Sequence, residues 1–407
     1  MQSLIALIVS VIMSIPNLFG YWMGGMPAHI RSDKPPSVFI GGSIAYGDNS
    51  NLAYLMPSFG FIDDVPRMLE EEGYEVYVTS PGTFNSNWDR ACNAYGELTG
   101  TLVDYGEAHA REHGHSRYGR NYTKPLVEDW GPERPINLFG DSQGGQTVYL
   151  LASLLAEGDE AEREAAEEGS LSPLFEGGHS DLVHSVTAFG GPLNGANTQP
   201  YFIGSWIYYA LIPFFAFDID AFQYTGWDDL LAYAEGVDNC IYDLSPMGAL
   251  EMNKKCRTNE NIYYFSYTLC DSELDEEGNH VLPITNVTES LPFGAILWVF
   301  SYFPGYGKGA FEGMTFEYEG EYESGSFTVD ETWRPNDGAT SVAACKYPFG
   351  QPHKEFDAEN IEPGVWQSFP TLYGYNHGFY SGFDFRHSTQ EMFEFYLNHL
   401  RVLDTTY

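Results

Sequence analysis

Five consecutive residues restrict this chain more than anything else in it. Gly140-Asp141-Ser142-Gln143-Gly144 follows a short β-favouring run, Ile136 to Phe139 (INLF), and precedes Gln146 to Ala156 (QTVYLLASLLA), an apolar run rich in good helix formers. A G-x-S-x-G pentapeptide between strand and helix requires a strained turn. Its glycines leave room for close backbone approach, and the turn lifts the serine hydroxyl off the end of a sheet beside a helix N-terminus. Ser142 is therefore a candidate nucleophile. Serine is a poor nucleophile alone and needs a base and an orienting acid, which in this architecture follow in the order Ser, Asp, His. Asn336-Asp337-Gly338 is a turn-forming tripeptide that could hold a carboxylate after a strand. Asn376-His377-Gly378 falls in a loop just before the last helical segment.

The rest of the chain agrees with a sheet of that kind. Ser37 to Ile40 (SVFI) reads as a buried strand ended by Gly41-Gly42, Phe61 to Glu72 as a helix, and Tyr74 to Thr79 as a second strand. Val183 to Phe189 and Ile262 to Tyr267 add two more strands. Alternation at these spacings predicts a mostly parallel sheet with helices on both faces, in one domain with inserted segments. A chain of 407 residues with 43% hydrophobic and 16% aromatic side chains has ample material for a core, which excludes a disordered chain. Lys+Arg number 19 against 57 Asp+Glu, a net charge of −38 that repels phosphates and excludes nucleic-acid binding. Such acidity suits a salty or acidic medium. The dense run Glu157 to Glu168 (EGDEAEREAAEE) reads as a solvated helix face.

Leu4 to Met13 (LIALIVSVIM) is an uncharged apolar run of signal-peptide length, too short to span a membrane and closed by Pro16, so residues 1–20 are expected to direct secretion. A retained anchor is the other reading of this run. Five cysteines (Cys92, Cys240, Cys256, Cys270, Cys345) leave one odd; with Cys92 a buried free thiol, the other four allow three pairings.

Beyond these local readings, several segments occur together and in order: SNWDRACNAY at Ser86 to Tyr95, VDYGEAHAREHGHSRYGRNY at Val103 to Tyr122, GDSQGGQT at Gly140 to Thr147, and SLSPLFEGGH at Ser170 to His179. IYDLS at Ile241 to Ser245, NDGATS at Asn336 to Ser341 and GVWQ at Gly364 to Gln367 continue the series. From about Pro36 to Leu400 the chain resembles the secreted triacylglycerol lipases of the thermoalkalophilic bacillus and staphylococcal type. The resemblance implies an α/β-hydrolase fold, with residues 36–400 as a single catalytic domain. It further implies Ser142 as nucleophile, Asp337 as the acid and His377 as the base, with the backbone N–H groups of Gln143 and Ser43 as the oxyanion hole. Family members usually carry His-Gly-Phe after the first strand. This chain has Gly41-Gly42-Ser43, which alters the acyl-chain contact but leaves a backbone donor possible.

His109-Ala110-Arg111-Glu112-His113-Gly114-His115 is the most metal-like stretch. H-x-x-E-H is the inverted zincin pattern, in which His109 and His113 bind zinc and Glu112 is the base of a metalloprotease. The resemblance implies instead a zinc site of Asp89, His109, His115 and Asp243, in an insertion around residues 84–122. Six residues turn a helix by about 600°, so His109 and His115 meet one ion only if the helix stops between them, and Gly114 is a plausible stop. Two imidazoles and two carboxylates leave no vacancy for water, which makes the expected zinc structural. For calcium, the resemblance calls for a carboxylate two residues after the base and an aspartate seven after it. Asp384 matches the second, but Phe379 occupies the first, so the site is expected to be weak or absent.

Tyr201 to Phe217 (YFIGSWIYYALIPFFAF) is uncharged and aromatic-rich. It reads as an amphiphilic lid, around residues 198–235, that turns its apolar face toward lipid on opening; a buried core helix is the bland alternative. The expected function is a secreted lipase acting on lipid esters at an oil–water interface, with no protein partner implied. A carboxylesterase for short soluble esters, the zinc protease and a non-catalytic lipid-binding module are the other readings.

Overall fold

The computed structural model describes residues 31–43, 65–197, 235–320 and 322–407. The expected leader, the lid apart from residue 235, and the first residues of the helix expected at 61–72 lie outside the described residues.

Seven strands form one sheet: β1 (Ser37–Ile40), β2 (Val76–Val78), β3 (Ile136–Asp141), β4 (Val183–Phe189), β5 (Tyr263–Tyr267), β6 (His353–Glu355) and β7 (Trp366–Ser368). Their spatial order is β6-β7-β5-β4-β3-β1-β2, and every pairing is parallel. Parallel strands joined by helical crossovers are buried on both faces, which explains why β1 and β4 are, apart from His184, apolar or small rather than alternating with charge. β2 is shorter than the expected Tyr74 to Thr79; at its start the Tyr74 N–H turns back to Leu69 O at 3.1 Å. β6 and β7 were not foreseen as strands; each is three residues long, too short for its pattern to stand out.

The helices that matter for the site are α1 (Val65–Glu71), α2 (Asn87–Thr99), α3 (Glu107–His113), α4 (Gln143–Glu157), α5 (Glu160–Ala165) and α6 (Thr389–Leu403). Because successive strand side chains point to opposite faces, the sheet divides the apolar residues into two cores. Val38, Ile40, Leu138 and Val186 face a cluster with Ala91, Leu98, Val148 and Leu151 from α2 and α4. Phe39, Phe139, Phe189 and Phe265 face the other, with Val65 and Leu69 from α1 and Met392, Tyr396 and Leu400 from α6. Helix α4 is buried from Gln143 to Ala156, which accounts for its apolar run; it begins three residues earlier than the sequence pattern suggested. All five cysteines are buried free thiols, Cys92 among them.

Phe139 lies at the centre of the second core, edge-on to Phe39 at 4.9 Å and to Phe189 at 5.7 Å between ring centroids. Truncating it by Phe139→Ala is expected to cost about 3–5 kcal/mol. Chemical denaturation should show the loss as a lower midpoint with an unchanged slope.

Candidate active site and metal group

Strand β3 runs directly into α4 through Ser142, whose backbone sits at φ 55°, ψ −123°, a region that side chains other than glycine seldom adopt. The motif's glycines make this possible by absence of side chain. A Cβ on Gly140 would fall 2.2 Å from Gly144 O, and one on Gly144 would fall 1.9 Å from Ile40 O, so neither position tolerates another residue without the turn opening. The Ser142 N–H donates to Phe189 O at 2.9 Å, tying the turn to the end of β4.

The next residue on β4's exit, Gly190, brings the candidate base alongside. A Cβ there would lie 3.5 Å from both Cε1 and Nδ1 of His377, so Ser142 and the imidazole flank the same two-residue segment. His377 Nδ1–H donates to Asp337 Oδ2 at 2.7 Å, and the His377 backbone N–H donates to Asp337 O at 2.9 Å. Asp337 is held in turn by Ala339 N–H at 2.9 Å, Thr340 N–H at 2.7 Å and the Thr340 hydroxyl at 3.0 Å. The turn expected at Asn336-Asp337-Gly338 forms, with Gly338 N–H donating to Asn336 Oδ1 at 2.9 Å. Burial works against a charged His377, but the Asp337 carboxylate and its hydrogen bond outweigh it, and the imidazole's pKa is raised.

On the other side of Ser142 stands the loop after β1. A Cβ on Gly42 would be 3.0 Å from Ser142 Cβ and 3.5 Å from Oγ, which puts the Gly42-Ser43 segment beside the hydroxyl. Both expected oxyanion positions are fastened to one strip of chain: Ser43 O accepts Phe84 N–H at 3.1 Å, and Gln143 Nε2 donates to Asn85 O at 2.9 Å. Arg90 of α2, fully buried, donates to Gly41 O, to Gly82 O at 2.6 Å and to Thr147 Oγ1 at 3.2 Å. Sequence reading did not single it out, because an arginine three residues into a polar helix looks like a surface residue.

Asp89, His109, His115 and Asp238 form a four-residue group whose ligand atoms all lie within 4.8 Å of one another. Three of the four were expected; Asp243 was not brought in, and Asp238 takes its place. Asp243 instead accepts the Asn87 N–H at the buried N-terminus of α2, and burial pushes its carboxyl up to about 8. Helix α3 ends as expected, with Gly114 in the left-handed region at φ 76° and its N–H on Ala110 O, so His115 swings back toward His109. His115 Nδ1–H donates to Ser116 O at 2.9 Å, which leaves the Nε2 lone pair facing the group.

The group fits a small divalent ion. Asp89 Oδ1, His109 Nε2 and His115 Nε2 are buried atoms without a hydrogen-bond partner, an arrangement costly for polar atoms unless an ion satisfies them. His109 Nε2 is 3.3 Å from Asp89 Oδ1 and 3.5 Å from Asp238 Oδ1, and His115 Nε2 is 3.3 Å from Asp238 Oδ2. Those separations exceed a good charged hydrogen bond but match the edge, about 3.3 Å, of a tetrahedron with zinc bond lengths. The protease pattern does not form: His113 is outside the group and Glu112 is exposed.

The acidic run contributes a residue that was not foreseen. Glu162 of α5 is buried, and its carboxylate accepts His109 N–H at 2.7 Å and Ala108 N–H at 3.0 Å, capping the start of α3. The expectation that the whole run is a solvated face is corrected at this position. Asp384 is also not free for calcium: Arg386 occupies its two oxygens at 2.7 and 2.6 Å, so the residues present do not fit that ion.

The description "Lipase-like, C-terminal domain" belongs to a family whose model matches residues 33–223 and 324–404. A lipase of Staphylococcus epidermidis is 31% identical over 381 residues, which cover 86% of this chain and 50% of the relative. The chain thus spans about half the length of the curated relatives it matches. Among solved structures, Staphylococcus hyicus lipase superposes with a TM-score of 0.75 at 26% identity, over 94% of this chain and 99% of that one. Lipase 1 from Pelosinus fermentans gives 0.69 at 28% identity, over 91% and 98%. With its parallel sheet, serine turn and Asp337–His377 pair arranged as described, the chain belongs to the lipase-like C-terminal domain family and has the α/β-hydrolase fold of bacterial lipases.

Proposed function

We propose that this chain is an ester hydrolase acting on lipid esters, triacylglycerols foremost, through an acyl-serine intermediate. The observation that carries the reading is the 2.7 Å bond from His377 Nδ1 to Asp337 beside a serine held at positive φ. Ser142 Oγ attacks the ester carbonyl carbon and passes its proton to His377 Nε2. The N–H groups of Gln143 and Ser43 receive the negative charge that develops on the carbonyl oxygen. His377 then protonates the departing alcohol, and a water deprotonated by the same imidazole releases the fatty acid. Asp337 keeps the ring oriented and stabilises its charged form. Lipid rather than soluble substrate is favoured by the helix Phe293–Gly305, uncharged and packed on the His377 loop. Its Phe293 ring lies 5.1 Å from Phe383, while Trp298, Tyr302 and Phe303 face outward. Residues 36–400 act as one catalytic domain in this reading, with residues 198–235 as its lid, and the apolar N-terminal run directs secretion.

For the metal group, zinc is the ion the donor set suits, held by Asp89, His109, His115 and Asp238. Bound there it supplies a structural clip rather than an activated water, because all four positions are taken by protein. The residues themselves join α2, α3 and the segment leading to Asp243.

Hydrolysis of p-nitrophenyl esters of increasing chain length and of emulsified triacylglycerol should fall by on the order of 10⁴-fold or more in Ser142→Ala. Retained activity would remove the acyl-serine mechanism. In the wild type, kcat/KM should decline as pH falls through the raised His377 pKa, placing the acid limb above the ordinary histidine value of about 6.5, because only the neutral imidazole accepts the serine proton. Asp337→Asn removes the larger raising influence, leaving Asp141 and the burial that opposes charge, so its residual activity, about 10⁴-fold lower, should show an acid limb displaced to lower pH. Elemental analysis should find about one zinc per chain. Asp238→Asn should shed it while Asp243→Asn keeps it; the reverse outcome would restore Asp243 as the ligand.

A further inference from the structure

Behind the His377 loop, one guanidinium lies between two buried carboxylates that come from distant parts of the chain. Arg386 Nη1 donates to Asp271 Oδ1 at 2.9 Å, while its Nε and Nη2 fork onto Asp384 Oδ1 and Oδ2 at 2.7 and 2.6 Å. The side chains of Asp271 and Asp384 are 2% and 0% exposed. Further donors complete the cluster: Asn286 Nδ2 reaches Asp271 Oδ1 at 2.9 Å, the Ser290 hydroxyl reaches Asp384 Oδ1 at 3.0 Å, and the backbone N–H of Asn376 reaches Asp384 Oδ2 at 3.0 Å. The last of these bonds fastens the residue immediately before His377.

Two desolvated carboxylates with converging oxygens are what a hard divalent cation recognises, and a calcium ion would need six to eight such oxygens. Here the oxygens are already engaged, and the charge they require is supplied from two residues beyond Asp384. A guanidinium is permanently charged and forks onto a carboxylate in a fixed plane, so it serves as a tethered cation with no dissociation equilibrium. Removing one partner of a buried pair leaves the other charge uncompensated, which is strongly unfavourable. Without Arg386, Asp271 and Asp384 would face each other with nothing between them.

We propose that Arg386 is a built-in substitute for calcium: it holds the loop bearing His377 without a metal, and its removal alone uncovers a calcium site formed by Asp271 and Asp384. The test uses the whole chain, dialysed free of loosely held calcium but without chelator, so that a tightly bound zinc is left in place. Calcium chloride is titrated by calorimetry, and melting is followed with and without it. The wild type should give no saturable heat and no change in Tm. Arg386→Ala should melt lower than wild type and recover about 3 °C once calcium is at roughly a hundredfold its Kd, with magnesium ineffective. Arg386→Gln, which keeps the side-chain length while losing the charge, reads out the same recovery if the alanine variant does not fold. Asp384→Asn added to either variant should abolish the response. Saturable calcium binding by the wild type, or a folded Arg386 variant indifferent to calcium, would overturn the proposal. Both readouts are independent of ester hydrolysis, so a failure here leaves the acyl-serine mechanism standing.

Discussion

Everything near Ser142 depends on one backbone conformation. Ser142 at positive φ costs of order 1–3 kcal/mol, and it persists because the turn is fixed from several directions. Gly140 and Gly144 allow β3, α4 and the end of β1 to pack backbone against backbone, and the Phe189 carbonyl holds the serine N–H. The central place of β3, between β1 and β4, follows from the same requirement: the loop after β1 stands on one side of the serine and the exit of β4 on the other. A serine turn on an edge strand would have only one of those walls.

A second constraint is the management of charge in a strongly acidic chain. With 19 Lys+Arg against 57 Asp+Glu, cations are scarce, yet Arg90 is fully buried and Arg386 mostly so. Arg90 gathers the loops around the serine by donating to carbonyls, and Arg386 bridges two aspartates beneath the His377 loop. Asp337 and Glu162, which have no such cation, accept backbone N–H groups instead. Acidic residues therefore outnumber cations in the interior as well as on the surface, and the buried ones are held largely by hydrogen bonds.

The parts of this arrangement that were legible in the sequence are those with local signatures. The serine turn is written in consecutive residues, β1 and β4 begin and end where they were expected to, and the glycine at 114 marks the stop of α3. Residues that act through the tertiary fold were not legible. Asp238 and Asp243 lie five positions apart, and only the placement of the α2 N-terminus decides which of them is consumed by Asn87 and which faces the histidines. Arg90, Glu162 and Arg386 sit in polar stretches that look solvated, and their burial depends on what packs over them.

Glu162 carries a practical consequence. The acidic run around it is an obvious place to lower the charge of this protein for handling in dilute buffer, and its neighbours Glu160 and Glu164 are exposed. Glu162 is a different kind of residue although its chemistry is identical: it closes the beginning of the helix that presents His109. Recolouring that segment by composition alone would loosen the histidine scaffold from a distance, so surface engineering of this chain has to be guided by which carboxylates are already spoken for.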